Sequence, residues 1–371
     1  MKIIVSGGGT GGHIYPAITL LRTVEKLCPG AEILYVGTPE GLEADIIPKE
    51  GLPFETVELS GGFKRSLSPA NIVRAFQAGC GVLKAMSIVR RFQPDVAVGT
   101  GGYVCGPILL AASLLGVPTL IQEQNVMPGI TNKALSRFVS RIALGAQEAE
   151  PYFPKGKCVF TGNPIRAEVM AAEREEGLKS FGLDPDKLTV LVSGGSRGAR
   201  SINRAMLTVL KKYAGSDEVQ ILHVTGKSGY AEVMEGIRRA RLKPDETPNI
   251  QVKPYLYDMP KALACADLAI FRAGAIGIAE MTARGIPSIL VPYPYAAENH
   301  QEHNARAIEK AGAAKVIIDK ELNGELLAQE LEKLLSDREG LKKMAEASRS
   351  LGRPEAAQQI AQLIIEEAKK K

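Results

Sequence analysis

The strongest constraint on the fold is a pattern that occurs twice. Near its start the chain reads "KIIVSGGGTGGHIYPAITLL", and near its middle "LTVLVSGGSRGARSINRAML". Each is a short apolar run ending in Ser-Gly-Gly, then a small polar turn with more glycine, then an amphipathic stretch. In the first copy Ile14, Ala17, Ile18, Leu21 and Val24 recur at helical spacing. Further short apolar runs follow each copy, most closed by glycine or a polar turn: "AEILYVGT", "PDVAVGTGG", "VPTLIQEQN", "RIALG" and "KCVFTGN", then "VQILHVTG", "NIQVKPY", "DLAIFRAG", "IPSILVPY" and "AKVIID". Strands that are apolar throughout and alternate with helices pack as parallel sheets covered on both faces. A chain of 371 residues is too long for one ordinary core. The pattern therefore predicts an α/β protein with two doubly wound domains. The expected bounds are 1–165 for the first domain, 166–187 for a charged connector, 188–350 for the second, and 351–371 for a closing helix with Ile360, Leu363 and Ile364 on one face.

Several classes are excluded early. The 5 cysteines are scattered without a CxxC pair, which argues against a disulfide framework or zinc site and fits a reducing cytosol. The N-terminus lacks the pattern of a signal peptide. From Val96 to Ile121 there is no charged residue, but glycines and prolines interrupt it where a spanning helix needs about 20 continuous apolar residues. It reads instead as strand (Asp95–Val98), glycine loop, helix (Pro107–Leu115) and buried strand (Pro118–Ile121).

In doubly wound folds ligands sit at the carboxyl ends of the strands, and with two domains the expected site is the cleft between them. A glycine loop opening a helix suits an anion, because backbone N–H groups and the helix dipole both favour negative charge. Gly7–Gly12, Gly194–Gly198 and Arg272–Glu280 all qualify, pointing to a phosphorylated ligand. A nicotinamide dinucleotide is disfavoured, since the second strand, "ILYVGTPEG", has no acid at its tip. Glu280 follows the "AGAIG" turn, where it either accepts from ribose hydroxyls or is an ordinary first-turn acid. Metal sites are poorly supported. His300, His303, Glu298 and Glu302 sit among polar amides, and Asp184–Asp186 reads as a turn before a strand.

Charge is unevenly distributed. Between Leu59 and Pro94 there is no acid, while Lys64, Arg65, Arg74, Lys84, Arg90 and Arg91 lie among many apolar residues from 63 to 92. Lys133, Arg137 and Arg141 form a second basic stripe at i, i+4, i+8. Basic residues ringing exposed apolar ones suit an anionic membrane surface; the competing reading is a solvated helix face. Nucleic acid would require stacking aromatics or a recognised motif, and neither is present.

The segments "GGGTGGH", "GTGGYVCGP", "QEQNVMPG", "TGNPIR", "SGGSRGA", "FRAGAIGIAE" and "HQEHNA" occur in an order that resembles the MurG family, the bacterial N-acetylglucosamine transferases of peptidoglycan synthesis. The resemblance runs from end to end. It implies the GT-B architecture: two Rossmann-like parallel-sheet domains facing a cleft, metal-independent in the donor site and without a cofactor. It implies inverting transfer of N-acetylglucosamine from UDP-N-acetylglucosamine to the muramoyl 4-hydroxyl of lipid I, giving lipid II. The implied place is the cytoplasmic face of the cell membrane, as a peripheral protein serving cell shape and division, with other proteins of cell-wall synthesis as partners.

Motif by motif, the resemblance implies that Thr10, Gly11 and Gly12 belong to the nucleotide-sugar and acceptor site and that Asn125 contacts the transferred sugar. Arg166 and the backbone around Leu256 would lie near uracil. Ser196 and the turn Ala275, Ile276, Gly277 and Ile278 would hold the pyrophosphate, Glu280 the ribose hydroxyls, and Gln301 the sugar hydroxyls. His13 is the candidate base, since histidine titrates in the useful range; the alternative is that it only positions acceptor or phosphate. Three departures trim contacts: Gln122 where many relatives carry histidine, Ala273 where serine is common, and His300 for one of two paired glutamines. A UDP-sugar:diacylglycerol glycosyltransferase would share the fold and many donor residues. A UDP-sugar epimerase would need no lipid-facing surface, and a non-catalytic nucleotide-binding protein would need no acceptor site with His13.

Overall fold

The computed structural model describes residues 1–58, 69–195, 198–243 and 247–370, with side chains for all of these except 69–78. Its contacts divide the chain into two units, residues 1–165 with 355–371, and residues 166–354.

The first unit is built on seven strands: β1 (Lys2–Ser6), β2 (Glu32–Gly37), β3 (Phe54–Thr56), β4 (Val96–Gly99), β5 (Thr119–Glu123), β6 (Arg141–Leu144) and β7 (Cys158–Phe160). They lie in the order β3-β2-β1-β4-β5-β6-β7, and every pair is parallel. β1 is central, with Ile3 opposite Ile33 on one side and Val96 on the other. Burial on both faces explains why the strands are apolar throughout rather than alternating. The helix Gly11–Leu27 turns Ile14, Ala17, Ile18, Leu21 and Val24 into the core, as their spacing predicts. The uncharged stretch forms β4, the helix Cys105–Leu114 and β5. Among the described residues no helix is long and apolar enough to cross a membrane.

The second unit carries β8 (Leu188–Ser193), β9 (Val219–Val224), β10 (Ile250–Lys253), β11 (Leu268–Phe271), β12 (Ser288–Leu290) and β13 (Ala314–Val316). Their order is β10-β9-β8-β11-β12-β13, again wholly parallel, with β8 between β9 and β11. This is the Rossmann strand order, reached independently in each half.

Two expected boundaries differ from what is found. Residues 166–187, expected as a connector, fold into the second unit as the helices Ala167–Ala171 and Arg174–Phe181. Leu178, Leu183 and Cys265 form a small apolar cluster there. Arg174 ties it down, donating to the Cys265 carbonyl at 2.8 Å and to Asp267 at 3.0 Å. The charges of this stretch fit a connector, but they lie on the outer face of helices packed into the second unit. The closing helix Ala356–Ala368 is no separate element. Ile360, Ala361 and Ile364 enter the same core as Ile14 and Leu21, and the buried Glu367 accepts from Arg141 Nε at 3.2 Å.

One buried histidine holds the second sheet to its first helix. His223 on β9 is fully buried, and its Nε2 lies 3.0 Å from Asn203 Oδ1 in the helix Arg200–Tyr213. Asn203 Nδ2 donates to the Thr225 carbonyl at 2.9 Å, so its Oδ1 must accept the histidine proton. Burial pushes the His223 pKa down to about 4. The unfolded chain, with an ordinary histidine pKa, therefore binds the proton more readily, and stability falls as pH drops from about 6.5 toward 4. Between pH 7 and pH 5 the loss from this one group is about 2 kcal/mol. Denaturant unfolding at both pH values should show His223→Gln, which keeps the donor to Asn203, losing about that much less than the wild type. Equal losses in the two proteins would contradict the assignment.

Candidate active site

β1 ends at Ser6, and Gly7–Thr10 leads directly into the helix Gly11–Leu27. The first turn of that helix contains no acid, and the N-cap residue Thr10 takes none of its amides with the side chain. Thr10 Oγ1 lies instead 3.3 Å from His13 Nδ1. The same nitrogen is 3.0 Å from the Gly8 carbonyl oxygen. A carbonyl can only accept, so Nδ1 carries a proton, and in the neutral form of the ring the lone pair is on Nε2.

Room for the ring comes from the loop after β4. A Cβ on Gly101 would stand 2.8 Å from His13 Cδ2, and one on Gly102 would stand 2.4 Å from the Gly8 oxygen. Both glycines also have positive φ, at +105° and +82°, where a side chain would be strained. Thr100 Oγ1 donates to the His13 carbonyl at 2.8 Å, and the Gly8 amide to the Gly101 carbonyl at 3.3 Å. The sequences "GGGTGGH" and "GTGGY" are thus one interlocked piece.

Two buried polar side chains support this loop from beneath. Tyr35 on β2 donates its hydroxyl to the Gly7 carbonyl at 2.6 Å, and burial raises its pKa well above the ordinary phenol range. Glu43, fully buried, accepts with one oxygen from the Gly9 amide at 3.1 Å. Its other oxygen accepts from the Thr38 amide at 3.1 Å and the Thr38 hydroxyl at 2.7 Å. A Cβ on Gly8, Gly37 or Gly41 would come within 2.6 Å of the Glu43 side chain. Sequence reading passed over both residues: Tyr35 reads as a strand aromatic, and Glu43 as a first-turn acid in the helix Leu42–Lys49.

At the end of β5 a second buried carboxylate does similar work. Glu123 accepts from the Asn125 amide at 3.0 Å and side chain at 3.2 Å, from the Gly129 amide at 3.1 Å and from Asn132 Nδ2 at 2.7 Å. Asn125 is thereby held half-exposed at the strand end. Gln124 Nε2 donates to the Thr100 carbonyl at 2.6 Å, joining this loop to the one beside His13. Gln122 is fully buried and donates to Asn163 Oδ1 at 2.9 Å, while Asn163 Nδ2 donates to the Gln124 carbonyl at 3.0 Å. "QEQN" and "TGN" are therefore one buried amide network, and Gln122 is a structural member of it.

In the second unit the helix Ala275–Arg284 starts at the end of β11, with Gly274 as N-cap and no acid in its first turn. Ala275, Ile276 and Gly277 are half-buried at that helix start, while Ile278 is buried. Glu280, one turn further, is buried and takes a two-pronged bond from Arg166, with Nε and a terminal nitrogen each 3.0 Å from Oε1. Burial raises the Glu280 pKa, and the Arg166 guanidinium opposes that shift. Leu256 is half-buried against the core, and Gln301 Oε1 accepts from the Tyr293 amide at 2.9 Å. Ser196 lies outside the described residues.

One arginine that sequence reading did not single out as a ligand gathers this edge together. Arg272 donates to Asp319 at 2.5 Å, to Ser201 at 3.0 Å, and to the carbonyls of Val291 and Pro292 at 3.1 Å each. Segments following β8, β11, β12 and β13 thus share one guanidinium. The residues just before Gln301 are unusual: Glu298 and Asn299 both have positive φ, at 51° and 52°. Two successive non-glycine residues in that region are strained. His300 meets the Ala297 carbonyl at 2.7 Å, and Glu302 accepts from Asn299 at 2.6 Å, so this cluster is engaged in shaping the loop. Among the described residues no group of three or more His, Cys, Asp and Glu could hold a metal ion. Asp184 and Asp186 form a turn, with the Asp186 amide donating to Asp184 Oδ1 at 2.9 Å.

The basic-apolar expectation is narrowed. Lys64 and Arg65 lie outside the described residues, as does the side chain of Arg74. In the remainder of the helix Pro69–Phe92, Ile88 and Val89 are buried, and Val82, Met86 and Phe92 pack against the core. Leu83 alone of the large apolar residues there is exposed, at 68%. The stripe of Lys133, Arg137 and Arg141 is not one helix face. The helix Ile130–Leu135 ends before Arg137, and Arg141 begins β6.

Comparison with known proteins gives a consistent answer. Residues 3–144 match the glycosyltransferase family 28 N-terminal domain, and residues 189–360 its C-terminal domain. The UDP-N-acetylglucosamine–N-acetylmuramyl-(pentapeptide) pyrophosphoryl-undecaprenol N-acetylglucosamine transferase of Desulforamulus reducens is 49% identical, covering 97% of each chain. The enzyme of the same description from Halothermothrix orenii is 47% identical over 100% of both. The crystal structure of Acinetobacter baumannii MurG superposes with a TM-score of 0.78 at 30% identity, covering 98% of this chain and 99% of that one. With two Rossmann-like parallel-sheet domains and this full-length similarity, the chain belongs to glycosyltransferase family 28, among the N-acetylglucosamine transferases of the MurG family, and has the GT-B fold.

Proposed function

We propose that the protein transfers N-acetylglucosamine from UDP-N-acetylglucosamine to the muramoyl 4-hydroxyl of undecaprenyl-pyrophosphoryl-MurNAc-pentapeptide, with inversion. The observation that carries the mechanism is the bond from His13 Nδ1 to the Gly8 carbonyl, which leaves Nε2 as the basic nitrogen. The acceptor oxygen attacks C1 of the donor sugar as the bond from C1 to the diphosphate breaks. The leaving diphosphate keeps the electron pair, and the hydroxyl proton passes to His13 Nε2. Asn125, Thr10, Gly11 and Gly12 belong to the sugar and acceptor side.

Electrostatics favour the second unit for the diphosphate. In the first loop the Gly9 amide is already committed to the buried Glu43 carboxylate, and a second anion there would meet like charge. The start of the helix Ala275–Arg284 has no acid in its first turn, so its amides and dipole are open to phosphate. Ser196 and Ala275–Ile278 hold the diphosphate in this reading. Arg166 lies by the uracil with the backbone at Leu256, Glu280 accepts from the ribose hydroxyls, and Gln301 from those of the sugar.

The protein works as a peripheral protein at the cytoplasmic membrane face. Support comes from the acid-free segment 59–94 and from apolar side chains on the packed helices Pro69–Phe92, Cys105–Leu114 and Ile130–Leu135 and the turn that follows the last of them. Leu83, Leu114, Ile130 and Phe138 are 68%, 60%, 62% and 55% exposed there, with Lys84, Arg90 and Arg137 also exposed.

Radiolabelled UDP-N-acetylglucosamine with a lipid I analogue should give labelled lipid II; transfer to diacylglycerol instead would overturn the substrate assignment. In that assay His13→Ala should lower kcat by about 10²–10⁴-fold with little change in donor affinity, and near-normal turnover would eliminate the base role. Exposed lysines and arginines contribute about 1 kcal/mol each at an anionic surface. Reversing Lys84 and Arg90 to glutamate should therefore lower sedimentation with anionic vesicles about tenfold or more. Unchanged sedimentation would refute the surface assignment.

A further inference from the structure

The Gly8–Gly9 peptide carries two bonds at once. Its carbonyl oxygen accepts from His13 Nδ1 at 3.0 Å, and its amide nitrogen donates to Glu43 Oε2 at 3.1 Å. A peptide is planar and its carbonyl and amide are conjugated. A carboxylate on the N–H end therefore fixes the orientation of the C=O end and draws electron density toward the oxygen, strengthening it as an acceptor. Glu43 is fully buried, all three of its partners are donors, and it forms no ion pair among the described residues.

We propose that Glu43 is a positioning residue for His13, acting through the Gly8–Gly9 peptide. In histidine-dependent enzymes a carboxylate commonly binds Nδ1–H directly, fixing the tautomer and stabilising the imidazolium once the proton has arrived. Here one peptide unit stands between the two groups. When His13 Nε2 takes the hydroxyl proton, the ring becomes cationic, and the polarised Gly8 carbonyl and the carboxylate behind it stabilise that charge. No atom or proton leaves Glu43. The glycines follow from the same device. Side chains at Gly8, Gly37 or Gly41 would occupy the space of the Glu43 side chain, with Cβ atoms 2.5, 2.6 and 2.1 Å from its nearest atoms.

This inference rests on the reading of His13 as the base, and its test separates the two. Glu43→Gln keeps the shape. Its amide oxygen can still accept from Thr38, which turns the NH2 toward the Gly9 amide and breaks that bond. The expected result is a kcat at least about tenfold lower, with KM for UDP-N-acetylglucosamine unchanged. Deuterium exchange in the peptide spanning residues 7–13 should quicken. Thr38→Val removes a donor from the other carboxylate oxygen. It should leave both readouts near wild type, which a general loss of packing around Glu43 would not. In a His13→Ala background, Glu43→Gln should cost less than about twofold, because its route to the reaction is gone.

Unchanged exchange in Glu43→Gln would overturn the proposal. So would an unchanged kcat, a Thr38→Val loss equal to that of Glu43→Gln, or a full Glu43→Gln effect without His13. Wild-type protein that fails to transfer to the lipid I analogue would sink the functional reading instead, with the exchange result still judging the clamp on the loop.

Discussion

Both halves depend on a central strand paired on each side to a strand whose helix leaves in a different direction. β1 lies between β2 and β4, and β8 between β9 and β11. Parallel pairing puts the carboxyl ends at one edge, and the change in direction opens a crevice there. At that edge of the first unit stand His13, Gly101 and Asn125, and at that edge of the second stand Arg272, Glu280 and Gln301. Residues far apart in sequence become neighbours, as when Thr100 reaches the His13 carbonyl across 87 positions.

A crevice made of loops needs its loops held, and backbone groups away from water need partners. The protein meets both needs with buried polar side chains. Among the described residues, Glu43 and Glu123 accept from amides, hydroxyls and amide side chains and form no ion pair. The second unit uses a cation for the same purpose, with Arg272 donating to Asp319, Ser201 and two carbonyls. Such groups are costly to bury singly and stabilising only when every partner is present. That makes the geometry at each loop all-or-none.

Much of this was legible in the sequence. Continuous apolar strands and the repeated Ser-Gly-Gly turn led to two parallel sheets. The spacing from Ile14 to Val24 marked the buried face of the first helix, and the glycine runs marked the loops at the sheet edge. The connector failed because charge alone does not distinguish a linker from the wet face of a packed helix; Gly177 sits where a Cβ would be 2.4 Å from Cys265 Sγ. Lys133, Arg137 and Arg141 do not form one face because the helix ends at Leu135 and Arg141 opens a strand, so the i, i+4, i+8 period has no helix to carry it.

The sequence by itself determined the strands and their parallel direction, the family and the identity of His13 as a candidate base, because apolar runs, periodicity and motif order are read along the chain. Only the tertiary structure decided which nitrogen of His13 holds the proton, that Arg166 binds Glu280, and that a glutamate lies behind the glycine run. Those facts depend on atoms brought to about 3 Å from remote segments, where hydrogen-bond geometry operates. The glycines of "SGGGTGGH" were visible from the start, but part of their reason lies at Gly37, Gly41 and Glu43, whose side chain needs the space they leave.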